Sequence, residues 1–220
     1  MKPRMRAEFL LFLCTFVWGG TFVVVKGGLD DASPLTFLAI RFAIATVLFA
    51  PFVARFFPLL SGRTIVHGVV LGALLCAGFI LQTVGLEYTT ASKSAFVTGL
   101  IVVFTPLFQV AVERRAPGPG NIFGVVLVVA GLYLLTSPEG SSFNAGDLMT
   151  LICAALFGLY IVCLDLFSKE SNVWMLAFLQ FSVTLLATAI GALFFEGWAV
   201  TWTPGFLMAL GYLAVLATVV

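Results

Sequence analysis

Residues 64–86 read TIVHGVVLGALLCAGFILQTVGL, with no Asp, Glu, Lys or Arg among them. A helix rises about 1.5 Å per residue, so such a run covers the hydrocarbon core of a bilayer, about 30 Å thick. Working outward from it, breakers and charges mark further apolar spans at 8–28, 35–56, 91–113, 120–137, 146–167 and 173–195. An eighth begins near 205 and is still apolar at Val220. The connections are short and carry turn chemistry, as in Asp30-Asp31-Ala32-Ser33-Pro34, Ala116-Pro117-Gly118-Pro119-Gly120 and Ser137-Pro138-Glu139-Gly140. Over the whole chain 61% of residues are hydrophobic, 10% are charged and the mean hydropathy is +1.15. A soluble domain carries about 25% charged residues, so most of this surface faces lipid. Open sheet edges would leave backbone groups unpaired there. The expectation is an all-α polytopic membrane protein.

Charge sets the orientation. With the N-terminus cytoplasmic, the inner face receives Lys2, Arg4, Arg6, Arg55, Arg63, Arg114, Arg115 and Lys169, the outer face only Lys26 and Lys93, and Arg41 lies within a span. This split of 8 to 2 follows the positive-inside rule and places the N-terminus inside a bacterial inner (plasma) membrane. The first span is too long for a signal-peptide core and no Ala-x-Ala site follows it, so it reads as a retained membrane helix.

Several function classes fall away. A formal net charge of +1 offers no field for a nucleic-acid partner. Cys14, Cys76, Cys153 and Cys163 lie in apolar runs without CxxC spacing or a neighbouring His, and read as small core residues. His67 reads as an interface residue, so no metal site is expected. Gly118-Pro119-Gly120 lacks the Lys-Ser/Thr of a phosphate loop, and no Ser–His–Asp set is present. No cofactor and no enzymatic activity are expected.

The chain aligns with itself at an offset of 139 residues: Cys14 meets Cys153, Gly19 meets Gly158, Phe42 meets Phe181, Leu71-Gly72 meets Leu210-Gly211 and Thr64 meets Thr203. The first span thereby falls on the sixth, the second on the seventh and the third on the eighth. Five spans separate the partners, an odd number, so the copies cross the membrane in opposite directions. An inverted repeat is the mark of many secondary transporters, with the solute site at the repeat interface near mid-membrane. The expected partition is residues 1–137 as a first five-helix unit and 138–220 as a second, truncated one, giving about eight of ten helices.

The stretch Phe16-Val17-Trp18-Gly19-Gly20-Thr21-Phe22 resembles the first helix of the drug/metabolite transporter superfamily, EamA-type. Residues 85–100, from Gly85-Leu86-Glu87-Tyr88 through Ser94-Ala95-Phe96-Val97-Thr98-Gly99-Leu100, are similar to that family as well, and Gly146-Asp147-Leu148 looks like the opening of its second repeat. The resemblance implies two inverted five-helix halves and a permease that exports amino acids or other small metabolites. The expected function is therefore a secondary transporter moving small metabolites, amino acids or related carboxylates among them, by alternating access. A non-transporting membrane scaffold and a lipid-linked substrate translocase stand as alternatives. The partners are a small-molecule substrate and membrane lipid.

Charged groups inside a membrane cost about 2.5–3.5 kcal/mol each at a helix centre, which singles out Arg41, about six residues or roughly 9 Å into the second span. Two readings stand: a cation lining a cavity for a carboxylate or phosphate, or a structural charge paired with Glu87 or a backbone carbonyl. Its repeat partner Gln180 is polar at equivalent depth. With Trp18, Phe22, Gln82, Thr98 and Tyr160, these two make up the cavity candidates. Lys26, Glu87 and Lys93, at the outer helix ends, are the gate candidates, with a Glu87–Lys93 pair as the plainer account. Gln109 and Thr105 read as buried groups that bond across helices, Pro106 as a kink in the fourth span, and Trp174, Trp198 and Trp202 as an interfacial belt. Gly68 and Gly72, and Ala91, Ala95 and Gly99, give two smooth helix faces.

Overall fold

The computed structural model describes residues 3–114, 118–136 and 143–219. Lys2, Arg115, the turns at Ala116-Pro117 and Ser137–Gly140, the proposed unit boundary at 137/138 and Val220 lie outside the described residues. The fold is all-helical apart from an isolated bridge between Ala32 and Val200. The helices are α1 (Pro3–Gly28), α2 (Pro34–Val53, continued by a 3-10 turn at Ala54–Leu59), α3 (Gly62–Tyr88), α4 (Ala91–Gly99), α5 (Ile101–Glu113), α6 (Pro119–Thr136), α7 (Ala145–Ser168), α8 (Val173–Phe195) and α9 (Pro204–Gly211), which runs on into a wide π turn over Tyr212–Val219. Among the described residues, five segments are long and apolar enough to cross a membrane: Pro34–Pro58, Gly62–Tyr88, Ala91–Val112, Ala145–Ser168 and Val173–Phe195. Phe12–Gly28, Ile122–Gly131 and Pro204–Thr218 are shorter apolar helices.

The first amides of a helix have no partner within it, and in apolar surroundings they must find one. Here side chains supply it. Ser61, Thr90 and Thr203 accept from the amides of Thr64, Lys93 and Phe206 at 3.1, 3.2 and 3.0 Å. Asn172 accepts from Trp174 and Met175, and Asn144 and Asp147 close a reciprocal capping box at the start of α7. The start of α2 has no cap of its own. The Glu196 carboxylate, from the end of α8, accepts from the amides of Leu35 and Thr36 at 3.0 and 2.9 Å instead.

The fourth span is interrupted at one residue. It breaks at Leu100, between α4 and α5, whose amide turns back in a tighter turn onto Val97 and Thr98, while α5 continues through Pro106 as helix. Pro106 deprives the Val102 carbonyl of a partner and crowds the preceding turn. Leu100 keeps helical backbone angles, φ −63° and ψ −5°, and follows Gly99, the residue of lowest helix propensity in α4.

α3 runs the length of the bundle against α7 and α8, and glycines let it approach. A Cβ at Gly68 would lie 2.5 Å from the Leu179 side chain, and one at Gly72 2.6 Å from Val183. Gly78 meets the ring of Phe157, and Gly85 lies against Gly146, whose carbonyl would be 2.9 Å from an added Cβ. Lipid tails are as apolar as leucine, so such close packing, rather than burial itself, holds membrane helices together.

Two loop contacts fall within one residue of the 139-residue offset, Thr203 corresponding to Thr64 next to Arg63. Asp31 in the α1–α2 turn accepts from Thr203 at the start of α9 (2.8 Å), and Glu170, 139 residues on, pairs with Arg63 at the start of α3 (3.3 Å). Across the Gly85–Gly146 contact the opposing group is backbone and cannot swing away. Gly85→Ala is therefore expected to destabilise the detergent-solubilised protein by about 1–3 kcal/mol, the cost of overpacking. Gly62→Ala, whose Cβ would meet nothing within 4 Å, should leave the unfolding midpoint unchanged. Equal midpoints for the two variants would show that the seam is not close-packed.

Candidate solute-binding cavity

A cavity of about 310 Å³ lies within the bundle, walled by α1, α2, α3, α4, α7, α8 and the π turn after α9. All seven cavity candidates, Trp18, Phe22, Arg41, Gln82, Thr98, Tyr160 and Gln180, are on its wall. α2 delivers Arg41, buried at 4% exposure. Its Nε and Nη2 donate to Thr218 Oγ1 at 3.1 and 3.0 Å, and the guanidinium carbon sits 4.8 Å from the Phe79 ring centre and 5.7 Å from that of Phe42. The structural partner expected for Arg41, Glu87 or a backbone carbonyl, is thus replaced by a hydroxyl and two rings, with no carboxylate paired to it among the described residues. Thr218 donates in turn to the carbonyl of Leu213 (2.8 Å), a bond opened by the π turn.

Across the cavity, Tyr160 Oη donates to Gln180 Oε1 at 2.8 Å, joining α7 to α8, and Gln82 Nε2 reaches Thr98 Oγ1 at 3.4 Å, joining α3 to α4. Trp18 is half outside: it touches the cavity yet is 62% exposed. Gln109 does not join this set. It is exposed on α5 one turn before Glu113, where a long amide side chain reaches polar surroundings beyond the span. Thr105 bonds back within its own helix, to the carbonyl of Ile101 at 2.8 Å.

The gate candidates sit together at the end of the bundle that carries Tyr88, but not in the pairing the sequence suggested. Glu87 is exposed. Lys93 Nζ instead pairs with Asp147 Oδ2 at 2.5 Å, and Thr89 donates to Asp147 Oδ1 at 2.7 Å. The pairing follows from the Gly85–Gly146 contact, which brings the start of α7 against the α3–α4 turn. Lys26 Nζ donates to the carbonyls of Leu86 and Glu87, the open C-terminal acceptors of α3. At the opposite end, His67 stacks on Phe167, ring centres 4.1 Å apart, and bonds Ser171 at 3.0 Å, so it is an interface residue.

Asp147 is the residue whose role the sequence reading missed. It was visible there only as part of a family-like stretch, although an acid three residues after Asn144 is a capping-box signal. The Arg63–Glu170 pair is 70% and 55% exposed and contributes little. Asp147 is fully buried while Lys93 keeps 23% exposure, so removing one partner strands a buried charge. Lys93→Met is expected to cost about 3 kcal/mol, the low end for such a pair. Adding Asp147→Asn, which can still cap α7, should recover at least half of that loss in the same unfolding assay. A double variant no more stable than Lys93→Met would show that the pair is not what holds this end.

With this geometry in view, the sequence profile of the EamA-like transporter family matches residues 5–137. An uncharacterized transporter of Archaeoglobus fulgidus is 37% identical over 87% of this chain, which spans 59% of that relative's length. The S-adenosylmethionine/S-adenosylhomocysteine transporter of Chlamydia muridarum is 32% identical over 50% of the chain and 35% of its own length. A solved crystal structure superposes with a TM-score of 0.73 at 19% identity, covering 94% of this chain and 73% of the other, and shares its fold. Eight apolar helical segments among the described residues with a cavity among them, and a family match over more than half of the chain, place this integral membrane protein in the EamA-like transporter family.

Proposed function

We propose that the protein is a secondary carrier that moves small carboxylate metabolites, amino acids or related acids, out of the cell by alternating access, with the N-terminus cytoplasmic in an inner membrane. In this reading residues 1–137 form one unit and 138–220 belong to a second, inverted one, and the solute binds between them. One observation carries it: Arg41 is a buried cation on a cavity wall whose ring and hydroxyl partners do not neutralise it. A buried charge without a counter-charge is costly, and an arriving carboxylate would offset that cost with a two-pronged hydrogen bond. The family supports transport as the activity, and the name of the Chlamydia muridarum relative supports an organic metabolite as cargo.

In this scheme Lys26 and the Lys93–Asp147 pair act as the gate at the Tyr88 end. Lys93 would have to leave Asp147 for that end to open, and a buried charge-assisted bond makes the closed form persist. The positive-inside distribution of Lys and Arg supports placing this end outside.

The test is uptake of a labelled panel of amino acids and carboxylic acids into proteoliposomes holding the full natural protein, with and without a proton gradient. Saturable uptake of one solute class is expected, lowered at least tenfold by Arg41→Ala while the variant still elutes as a single folded species. No uptake of any solute by correctly inserted protein would sink the carrier reading and favour a scaffold or a lipid-linked substrate translocase.

A further inference from the structure

The cavity wall carries one formal charge, Arg41, and among the described residues no carboxylate. A guanidinium has five donors. Two are spent on Thr218, and the other three have no partner among the described residues. Among the neutral polar groups nearby, Tyr160 donates to Gln180 Oε1 and Gln82 Nε2 reaches Thr98 at 3.4 Å. Of the thirteen other wall residues six are aromatic, Trp18, Phe22, Phe42, Phe79, Phe157 and Phe181, and all but one of the rest are aliphatic. At a share of about 30 Å³ per water in the liquid, the 310 Å³ of this cavity admits about ten water-sized groups, roughly the size of a single ring bearing a short acid.

We propose that the site selects an aromatic monocarboxylate that lacks a free ammonium group, such as an arylacetate or an aryl-2-oxoacid. The proposal rests on the carrier reading and narrows its substrate class. The carboxylate would take the open donors of Arg41, and the ring would lie among the phenylalanines, where it displaces water from apolar walls. An α-amino acid of the same shape would bring its ammonium within a few ångströms of the guanidinium. In surroundings of low dielectric that repulsion is strong, and among the described residues no wall carboxylate relieves it. The same logic excludes aromatic amines. A small acid such as acetate would satisfy Arg41 but leave the aromatic walls facing water.

Binding of unlabelled ligands to the full natural protein in micelles, measured by titration calorimetry, tests this alongside uptake into proteoliposomes. Phenylacetate and phenylpyruvate are expected to bind at least tenfold more tightly than phenylalanine or acetate, with no heat from phenethylamine. Arg41→Gln should abolish the preference for the acid. Arg41→Lys, which keeps the charge but loses the planar fork, should retain it at least tenfold more weakly. The preference in the unaltered protein is decisive even if both variants fail to fold. Phenylalanine binding as tightly as phenylacetate, or acetate doing so, would overturn this inference and leave the carrier standing. Uptake of other solutes without any response to aryl acids would do the same. No binding and no uptake of anything would overturn both.

Discussion

The close approach of α3 to α7 and α8 is the constraint on which the rest of the bundle depends. Four glycines on α3 set it, because at each a side chain would collide with Leu179, Val183, Phe157 or the backbone of Gly146. Further along the same face of α3, Leu75, Phe79, Gln82 and Leu86 line the cavity. The same approach lays the start of α7 against the α3–α4 turn, which creates the Lys93–Asp147 pair. A single packing decision thus places both the chamber and the bond that closes one end of it.

Arg41 shows how such a chamber keeps a charge that lipid would reject. Water is scarce at that depth, so the guanidinium is solvated by what the helices bring: one hydroxyl from a π turn and two ring faces. Ring quadrupoles attract a cation without cancelling it. The site therefore stays electropositive while remaining stable enough to fold, the condition a reversible anion site requires. Burying a carboxylate beside Arg41 would have made a stronger pair and left no attraction for a ligand.

The apolar helices, five of them long enough to cross a membrane among the described residues, were legible because hydropathy in a membrane is a one-dimensional signal: each apolar run must be a helix. The cavity wall was legible for a related reason. A polar group within a span is expensive toward lipid, so Arg41, Gln82, Thr98, Tyr160 and Gln180 had to turn inward, and they converge. The rule failed for Gln109 because it lies one turn from a helix end, where the cost vanishes. Partner choice was not legible. Lys93 and Glu87 are neighbours in sequence, whereas Lys93 and Asp147 become neighbours only once Gly85 and Gly146 touch, a fact of three dimensions.

If the proposed inverted repeat holds, the 139-residue offset pairs each packed contact with a counterpart on the other side of the bundle. Gly72 is packed against α8, with an added Cβ 2.6 Å from Val183 and 3.1 Å from the backbone of Gln180. Its counterpart at the 139-residue offset is Gly211, where a Cβ would meet nothing within 4 Å. The counterparts of Val183 and Gln180 are Ile44 and Arg41. In the proposed repeat, the surface corresponding to the one on Gly72 is thus the face of α2 that carries the buried cation. Two copies of one helical arrangement, inverted in the membrane, can each adopt the packed or the open form at similar cost, because each is built from the same kinds of contact. Exchanging the two forms would seat Gly211 against α2 and loosen Gly72 from α8, and the cavity around Arg41 would change the side to which it opens.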